Sequence, residues 1–209
     1  MGKKYVIFDI DGTLNQTHLY AVEAYERALS KRGIQADRRE ILSCFGLSPK
    51  AIVERFFGSL EKNELGSWKA DIEGLEYQLM KENARPYEGV KDALIELTAA
   101  EFRLAICSNA FPTHISNVLN ALGLADYFDE IGSLEMGKDK SEIVKELMKR
   151  TECSNACMVG DRIFDMEAAA ANGIPIVGCA YGYAPEEVMG ATIVVKSPFD
   201  IAASVKSLL

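Results

Sequence analysis

The chain has 209 residues, 48% of them hydrophobic and 26% charged, enough for one large domain or one domain carrying an inserted module. Its 31 acidic against 23 basic residues give a net charge of -8. That balance leaves no basic stripe to displace counterions and argues against a nucleic-acid partner. No apolar run approaches the ~20 residues of a membrane span. The apolar part of the N-terminal segment is short for a secretory signal, and Val6 at position 6 breaks the myristoylation pattern. Five cysteines, an odd number without paired CxxC halves, point to free thiols in a reducing cytoplasm. The expectation is a cytoplasmic protein, monomeric or weakly dimeric, with no membrane partner.

Taken in chain order, the first element is an apolar run, Tyr5–Phe8, of strand character. It ends in Asp9-Ile10-Asp11-Gly12-Thr13. Residues i and i+2 of a strand share a face, so the carboxylates of Asp9 and Asp11 leave the strand end together. Two like charges so close require a cation between them or a shared proton. Alone, this segment reads equally well as a strand-to-turn junction.

Residues 15 to 84 then contain no convincing strand. Helical patterns cover 18–32, ending at Gly33, and 37–45, 48–57 and 68–83. A single crossover of about 70 residues would be very long, so the stretch reads as an inserted helical cap. Its hinges fall near Asn15–Gln16 and Ala84–Pro86, which divides the chain into a core of residues 1–14 and 85–209 and a cap of residues 15–84.

From Val90 onward helices and strands alternate. Helical stretches are Val90–Ala100, Ile115–Leu122, Ile143–Met148 and Asp165–Asn172, the last stopped by Gly173. The intervening strands are Phe102–Cys107, Tyr127–Ile131, Ala156–Val159, Ile174–Gly178 and Thr192–Val195. Ser197-Pro198-Phe199-Asp200 looks like a capping box that opens a final helix. The alternation predicts an α/β fold with a doubly wound parallel sheet.

Polar residues recur where these strands end. Ser108-Asn109 follows the second strand, and Gly160-Asp161 with Asp165 follows Ala156–Val159. Lys138 and Lys140 precede a helix between them. Each alone has a plain structural reading: a strand-end hydroxyl, a helix-capping acid, a solvated lysine. Together they converge on the carboxyl ends of adjacent strands, where open α/β sheets bind ligands. Grouped acids suit a hard cation such as Mg2+. A hydroxyl, backbone amides and a lysine suit a phosphoryl group. The set reads as phosphoryl transfer with an aspartate nucleophile.

The order and spacing of these motifs resemble the haloacid dehalogenase-like hydrolase superfamily. Asp9, Asp11, Gly12 and Thr13 match its first motif, Ser108-Asn109 the second, a lysine the third, and Gly160-Asp161 with Asp165 the fourth. Arg85-Pro86-Tyr87-Glu88-Gly89-Val90 and Ala180-Tyr181-Gly182-Tyr183 are similar to its phosphoglycolate phosphatase-like branch. The resemblance implies a Rossmann-like core with a small helical cap. It implies a Mg2+-dependent phosphatase that hydrolyses a small phosphorylated metabolite, phosphoglycolate-like or a sugar phosphate, through an aspartyl phosphate. Asp9 would be the nucleophile and Asp11 the acid and base. Ser108, the Asn109 amide and Thr13 would hold phosphoryl oxygens. Asp9, the Asp11 main-chain carbonyl, Asp161 and Asp165 would hold Mg2+, and a lysine would neutralise charge. The family's Lys-Pro is absent; Lys140 is preferred to Lys138 because Lys140-Ser141-Glu142 resembles a variant in which the lysine opens the helix directly. Gln16 stands where many relatives carry an acid. A mutase of the β-phosphoglucomutase type, an inorganic pyrophosphatase and a phosphate-binding regulatory protein are the alternatives. The mutase reading lacks the cap-region His and Arg that such relatives keep, with His18 expected to be an exposed helix-start residue.

Overall fold

The computed structural model describes residues 3–209. β1 (Lys4–Phe8) is followed by four helices: α1 (Ala21–Ser30), α2 (Arg38–Leu42), α3 (Pro49–Phe57) and α4 (Lys62–Asn83). The chain returns through α5 (Val90–Ala99), β2 (Arg103–Cys107), α6 (Pro112–Leu122) and β3 (Glu130–Gly132). It continues as α7 (Lys140–Arg150), β4 (Asn155–Gly160), α8 (Ile163–Asn172), β5 (Ile176–Cys179), β6 (Ile193–Val195) and α9 (Ile201–Leu208).

The strands form one parallel sheet in the order β3-β2-β1-β4-β5-β6. This is the doubly wound α/β arrangement that the alternation predicts, with the reversal of strand order between β1 and β4. Both faces are covered, as all-parallel sheets require. Strand alternation sends Val6, Phe8, Leu104, Ile106, Cys157 and Val159 into one core layer. Tyr5, Ile7, Ala105, Cys107, Ala156 and Met158 enter the other, against Ile143, Val144 and Leu147 of α7 and Ala168 and Ala169 of α8. The first layer continues without a break into the helices after β1, through Tyr20, Tyr25, Phe45 and Trp68. All five cysteines are free and buried.

Several boundaries differ from the sequence expectation. The third strand starts at Glu130 rather than Tyr127, because Ala125–Tyr127 forms a 3-10 turn. Phe128 then turns edge-on to Phe8, 6.1 Å between centroids. The first helix begins at Ala21, after a separate 3-10 turn over Thr17–Leu19. Helix α4 starts six residues before the expected 68, at Lys62, since Glu61 and Glu64 close a reciprocal cap ahead of it. Ser197 opens a 3-10 turn, Pro198–Asp200, that leads into α9.

The two chain crossings between the sheet and the helical block run side by side. Gln16 N–H donates to the Arg85 carbonyl at 3.0 Å, and Tyr87 N–H donates to the Leu14 carbonyl at 3.0 Å. The Gln16 side-chain amide also donates to the Pro86 carbonyl at 3.0 Å. A carboxylate at position 16 could not make that last bond.

Candidate active site

The sheet register brings the polar strand ends together. Phe8 is level with Ile106 of β2 and Val159 of β4. Asp9, one residue further on, and Ser108 and Asp161, two further on past Cys107 and Gly160, therefore emerge at one edge. Asp9 N–H donates to the Val159 carbonyl at 2.9 Å, which extends the ladder to Asp9 itself. Ser108 is buried, and its N–H donates to the Gly132 carbonyl of β3 at 3.1 Å.

Lys140 reaches this edge from the start of α7. Asp139 caps that helix by accepting from Glu142 N–H at 3.0 Å, which makes Lys140 its first residue and turns its side chain inward. Its ammonium lies 2.7 Å from Asp9 Oδ1 and 2.7 Å from Asp165 Oδ1. Lys138, one residue before the cap, points to solvent and pairs with Glu142 at 2.8 Å.

Asp161 and Asp165 are fixed from several directions. Asp161 Oδ2 accepts from Tyr183 N–H at 2.8 Å, and its Oδ1 accepts from the Thr13 hydroxyl at 3.3 Å. Asp165 Oδ2 accepts from Arg162 N–H at 3.0 Å. Asp165 is therefore a first-turn capping acid and a partner of Lys140 at once. Three glycines leave room for these carboxylates. A Cβ on Gly12 would sit 2.2 Å from Asp161 Oδ2, one on Gly182 2.3 Å from it, and one on Gly160 2.2 Å from the Asp165 carboxyl carbon. Gly12 also has φ of +84°, a conformation only glycine adopts cheaply.

Ligand oxygens of Asp9, Asp161 and Asp165 lie within 4.8 Å of one another, all three residues being buried. Burial raises Asp9 above the ordinary carboxylate range, against the pull of Lys140, while Asp165 and Asp11 add to the rise. Burial likewise raises Asp161, with Asp9 and Asp165 adding to it. Burial alone would lower Lys140, yet Asp165 and Asp9 outweigh it and raise its ammonium. Of the three buried carboxylates, Asp9 and Asp165 pair with the Lys140 ammonium and Asp161 has no ion pair among the described residues. Asp9 Oδ2 is itself buried without a hydrogen-bond partner. An oxygen-only donor set with surplus negative charge and an orphaned carboxylate oxygen fits a hard divalent cation and rules out a soft-ligand site.

Asp11 stands half-buried beside this cluster. Its Oδ1 accepts from the Thr17 hydroxyl at 2.5 Å, and the Asn15 side-chain amide donates to that same hydroxyl at 2.9 Å. Asn15 thereby directs the Thr17 proton toward Asp11. In the sequence Asn15 reads only as part of a hinge and Thr17 carries no role, although Asn15-Gln16-Thr17 closely follows the first motif. In the sequence Tyr183 stands out only as part of a branch-like segment; its ring also meets His18, whose backbone N–H donates to the Tyr183 hydroxyl at 2.9 Å. His18 is thus half-buried and engaged, not an exposed helix-start residue.

A cavity of about 770 Å³ opens above Asp9, Asp11, Ser108 and Asn109 and is roofed by the helical block. The loop after α2 touches the sheet edge directly. Asn109 donates its side-chain amide to the Gly46 carbonyl at 3.0 Å, and Arg162 donates to the Phe45 carbonyl. Arg162 is held in turn by Glu187, Nε to Oε2 at 2.9 Å.

The sequence pattern of the haloacid dehalogenase-like hydrolases matches residues 6–179. A phosphoglycolate phosphatase of Mesorhizobium japonicum is 25% identical over 198 residues, covering 90% of this chain and 87% of that one. A protein from Clostridium acetobutylicum described as a predicted phosphatase has the same fold, with a TM-score of 0.87, 24% identity and all of both chains covered. The protein CbbY of Rhodobacter sphaeroides, solved in complex with phosphate, superimposes with a TM-score of 0.84 at 20% identity over 97% of this chain and 98% of its own. The chain belongs to the haloacid dehalogenase-like hydrolase family, in its phosphoglycolate phosphatase-like branch, and is a hydrolase of the phosphatase type.

Proposed function

We propose that the protein is a Mg2+-dependent phosphatase that acts on a phosphomonoester through an aspartyl phosphate on Asp9. The observation that carries this reading is Asp9 itself. One of its oxygens is held by Lys140 and the other is buried and unpartnered, at the floor of the cavity and among the two further carboxylates. Asp9, the Asp11 main-chain carbonyl, Asp161 and Asp165 would hold Mg2+, which when bound offsets the repulsion between an anionic nucleophile and an anionic phosphate.

The residues of the chain divide the remaining work. Asp9 Oδ2 forms a bond to phosphorus as the bond to the ester oxygen breaks, and the protonated Asp11 carboxyl gives its proton to that departing oxygen. Asp11, now a carboxylate, takes a proton from water, whose oxygen attacks the phosphorus and returns Asp9 to its free form with release of phosphate. The Thr17 hydroxyl fixes the orientation of Asp11 for both proton transfers. Ser108, the Asn109 amide and Thr13 hold phosphoryl oxygens, and Lys140 holds Asp9 in place and balances charge.

Residues 15–84 act in this reading as a cap hinged where Gln16 meets Arg85 and Pro86. The contacts from Asn109 and Arg162 to the loop after α2 would hold it closed, shielding the aspartyl phosphate. Turnover of p-nitrophenyl phosphate with and without Mg2+ tests the reading. Mg2+-dependent phosphate release supports it. Transfer of the phosphoryl group to a second hydroxyl, with no release, would make the protein a mutase instead.

A further inference from the structure

The cavity is much larger than a two-carbon phosphoester requires. Its volume of about 770 Å³ falls in the range that encloses a drug-sized ligand. The wall opposite the carboxylates is apolar and aromatic, built from Tyr25, Phe45, Ile52, Trp68, Ile72 and Met80.

The charges on this wall are arranged to disfavour an anion. Among the described residues no arginine lines it, and its two lysines other than at the catalytic floor are already paired. Lys50 faces Glu54 at 3.7 Å and Lys69 faces Glu73 at 3.6 Å, all with side chains more than half exposed. Such exposed pairs are weak, but with Glu76 the wall carries three carboxylates, Glu54, Glu73 and Glu76, against two ammonium groups. His114, on α6, is the remaining basic group of the wall.

Glu76, on α4, faces this space. It has no hydrogen bond or ion pair among the described residues; the charges that act on it are His114, Asp11 and Glu73 at longer range. Glu76 is partly buried and, among the described residues, has no cation within ion-pair distance, so a donor or cation on a ligand in this cavity can pair with it.

We propose that the natural substrate is a phosphomonoester of a bulky, largely apolar alcohol that carries an ammonium or similar cationic donor, received by Glu76. A small acid such as phosphoglycolate would bring a second anion to a wall that has no arginine among its described residues and more glutamates than lysines. This inference rests on the phosphatase reading and names the class of alcohol that the same site accepts.

Three aryl phosphates with the same leaving oxygen separate charge from bulk: tyramine O-phosphate, 4-ethylphenyl phosphate and the O-phosphate of 3-(4-hydroxyphenyl)propanoate. With Mg2+, kcat/KM should fall in that order, the ammonium ester exceeding the carboxylate ester by about tenfold or more. Phosphoglycolate should rank below all three. In Glu76→Gln the ammonium-to-carboxylate ratio should drop by about tenfold, a change that a merely structural role would not produce. A wild-type preference for phosphoglycolate or the carboxylate ester, or an unchanged ratio in Glu76→Gln, overturns the inference. If none of these esters and no p-nitrophenyl phosphate is hydrolysed, the phosphatase reading fails separately. The charge preference is then read from the Kd of the three esters by calorimetry, where equal or reversed affinities overturn the inference on their own.

Discussion

The ammonium of Lys140 lies 2.7 Å from Asp9 Oδ1, and both side chains are only 2% exposed. An ion pair this deep is costly to desolvate, and removing one partner leaves an uncompensated charge behind. The same ammonium also serves Asp165, so its loss strands two carboxylates.

Lys140→Ala should therefore lower turnover by several orders of magnitude and destabilise the fold by about 3–5 kcal/mol. Lys138→Ala removes an exposed pair with Glu142 and should cost at most about 1 kcal/mol, with kcat within about twofold of wild type. Urea melts and steady-state rates of the two variants compare them directly. Equal losses in both would separate the buried pair from catalysis.

Gly182→Ala places a methyl group 2.3 Å from Asp161 Oδ2, closer than any real contact. Asp161 is locked by Tyr183 N–H and the Thr13 hydroxyl, so the collision must displace either the carboxylate or the loop after β5. The Mg2+ concentration for half-maximal activity should rise about 10- to 100-fold, the usual cost of disturbing groups that orient metal ligands. An unchanged Mg2+ dependence would mean that Asp161 lies outside the metal site.

Glu76 makes stability depend on pH. Burial raises its carboxyl from 4.5 to about 7, with Asp11 and Glu73 adding to the rise and His114 opposing it. The folded chain then binds more protons than the unfolded chain between those two values. The contribution of this group to stability thus declines as pH rises across that window and is constant beyond it. Glu76→Gln lacks the effect. Its stability relative to wild type should grow by roughly 1–3 kcal/mol between pH 4.5 and 7. Denaturant melts of both proteins at pH 5 and 8 measure this difference, and a difference independent of pH would contradict it.

The proposed closure of the helical block has a built-in reporter. Trp68 is the single tryptophan of the chain, lies on the cavity wall and meets Phe57 at 4.9 Å between centroids. Mg2+ with vanadate, a phosphate analogue, should favour the closed form and reduce acrylamide quenching of Trp68 at least twofold. Quenching that is identical with and without saturating vanadate would contradict a moving cap.

Much of this site is legible in the chain because its residues sit at strand ends. The strand itself stops at Phe8, so Asp9 and Asp11 lie just past it and Asp11 stands beside the cluster of Asp9, Asp161 and Asp165 rather than in it, while parallel pairing brings Asp161 and Ser108 alongside Asp9. What the spacing hides depends on tertiary approach. The choice between Lys138 and Lys140 turns on Asp139, whose cap decides which lysine faces inward. The clamp on Asp161 comes from Tyr183, 22 residues later in the chain, and no local pattern marks it. Gly66 and Ser67 obscure the first part of α4, although Glu64 accepts from Glu61 N–H at 2.9 Å where the helix begins. Asn15 reads only as part of the Asn15–Gln16 hinge, whereas its hydrogen bond to Thr17, and that of Thr17 to Asp11, make both residues part of the site.

The central claim is that Asp9 carries the phosphoryl group. Rapid acid quench of a single turnover with 32P-labelled substrate and Mg2+ should trap label on the wild-type protein, stable in acid and released by hydroxylamine as an acyl phosphate is. Asp9→Asn, isosteric and folded by circular dichroism, should trap none and lose turnover by several orders of magnitude. Phosphate release without protein-bound label, or labelling and turnover that persist in Asp9→Asn, would contradict the account.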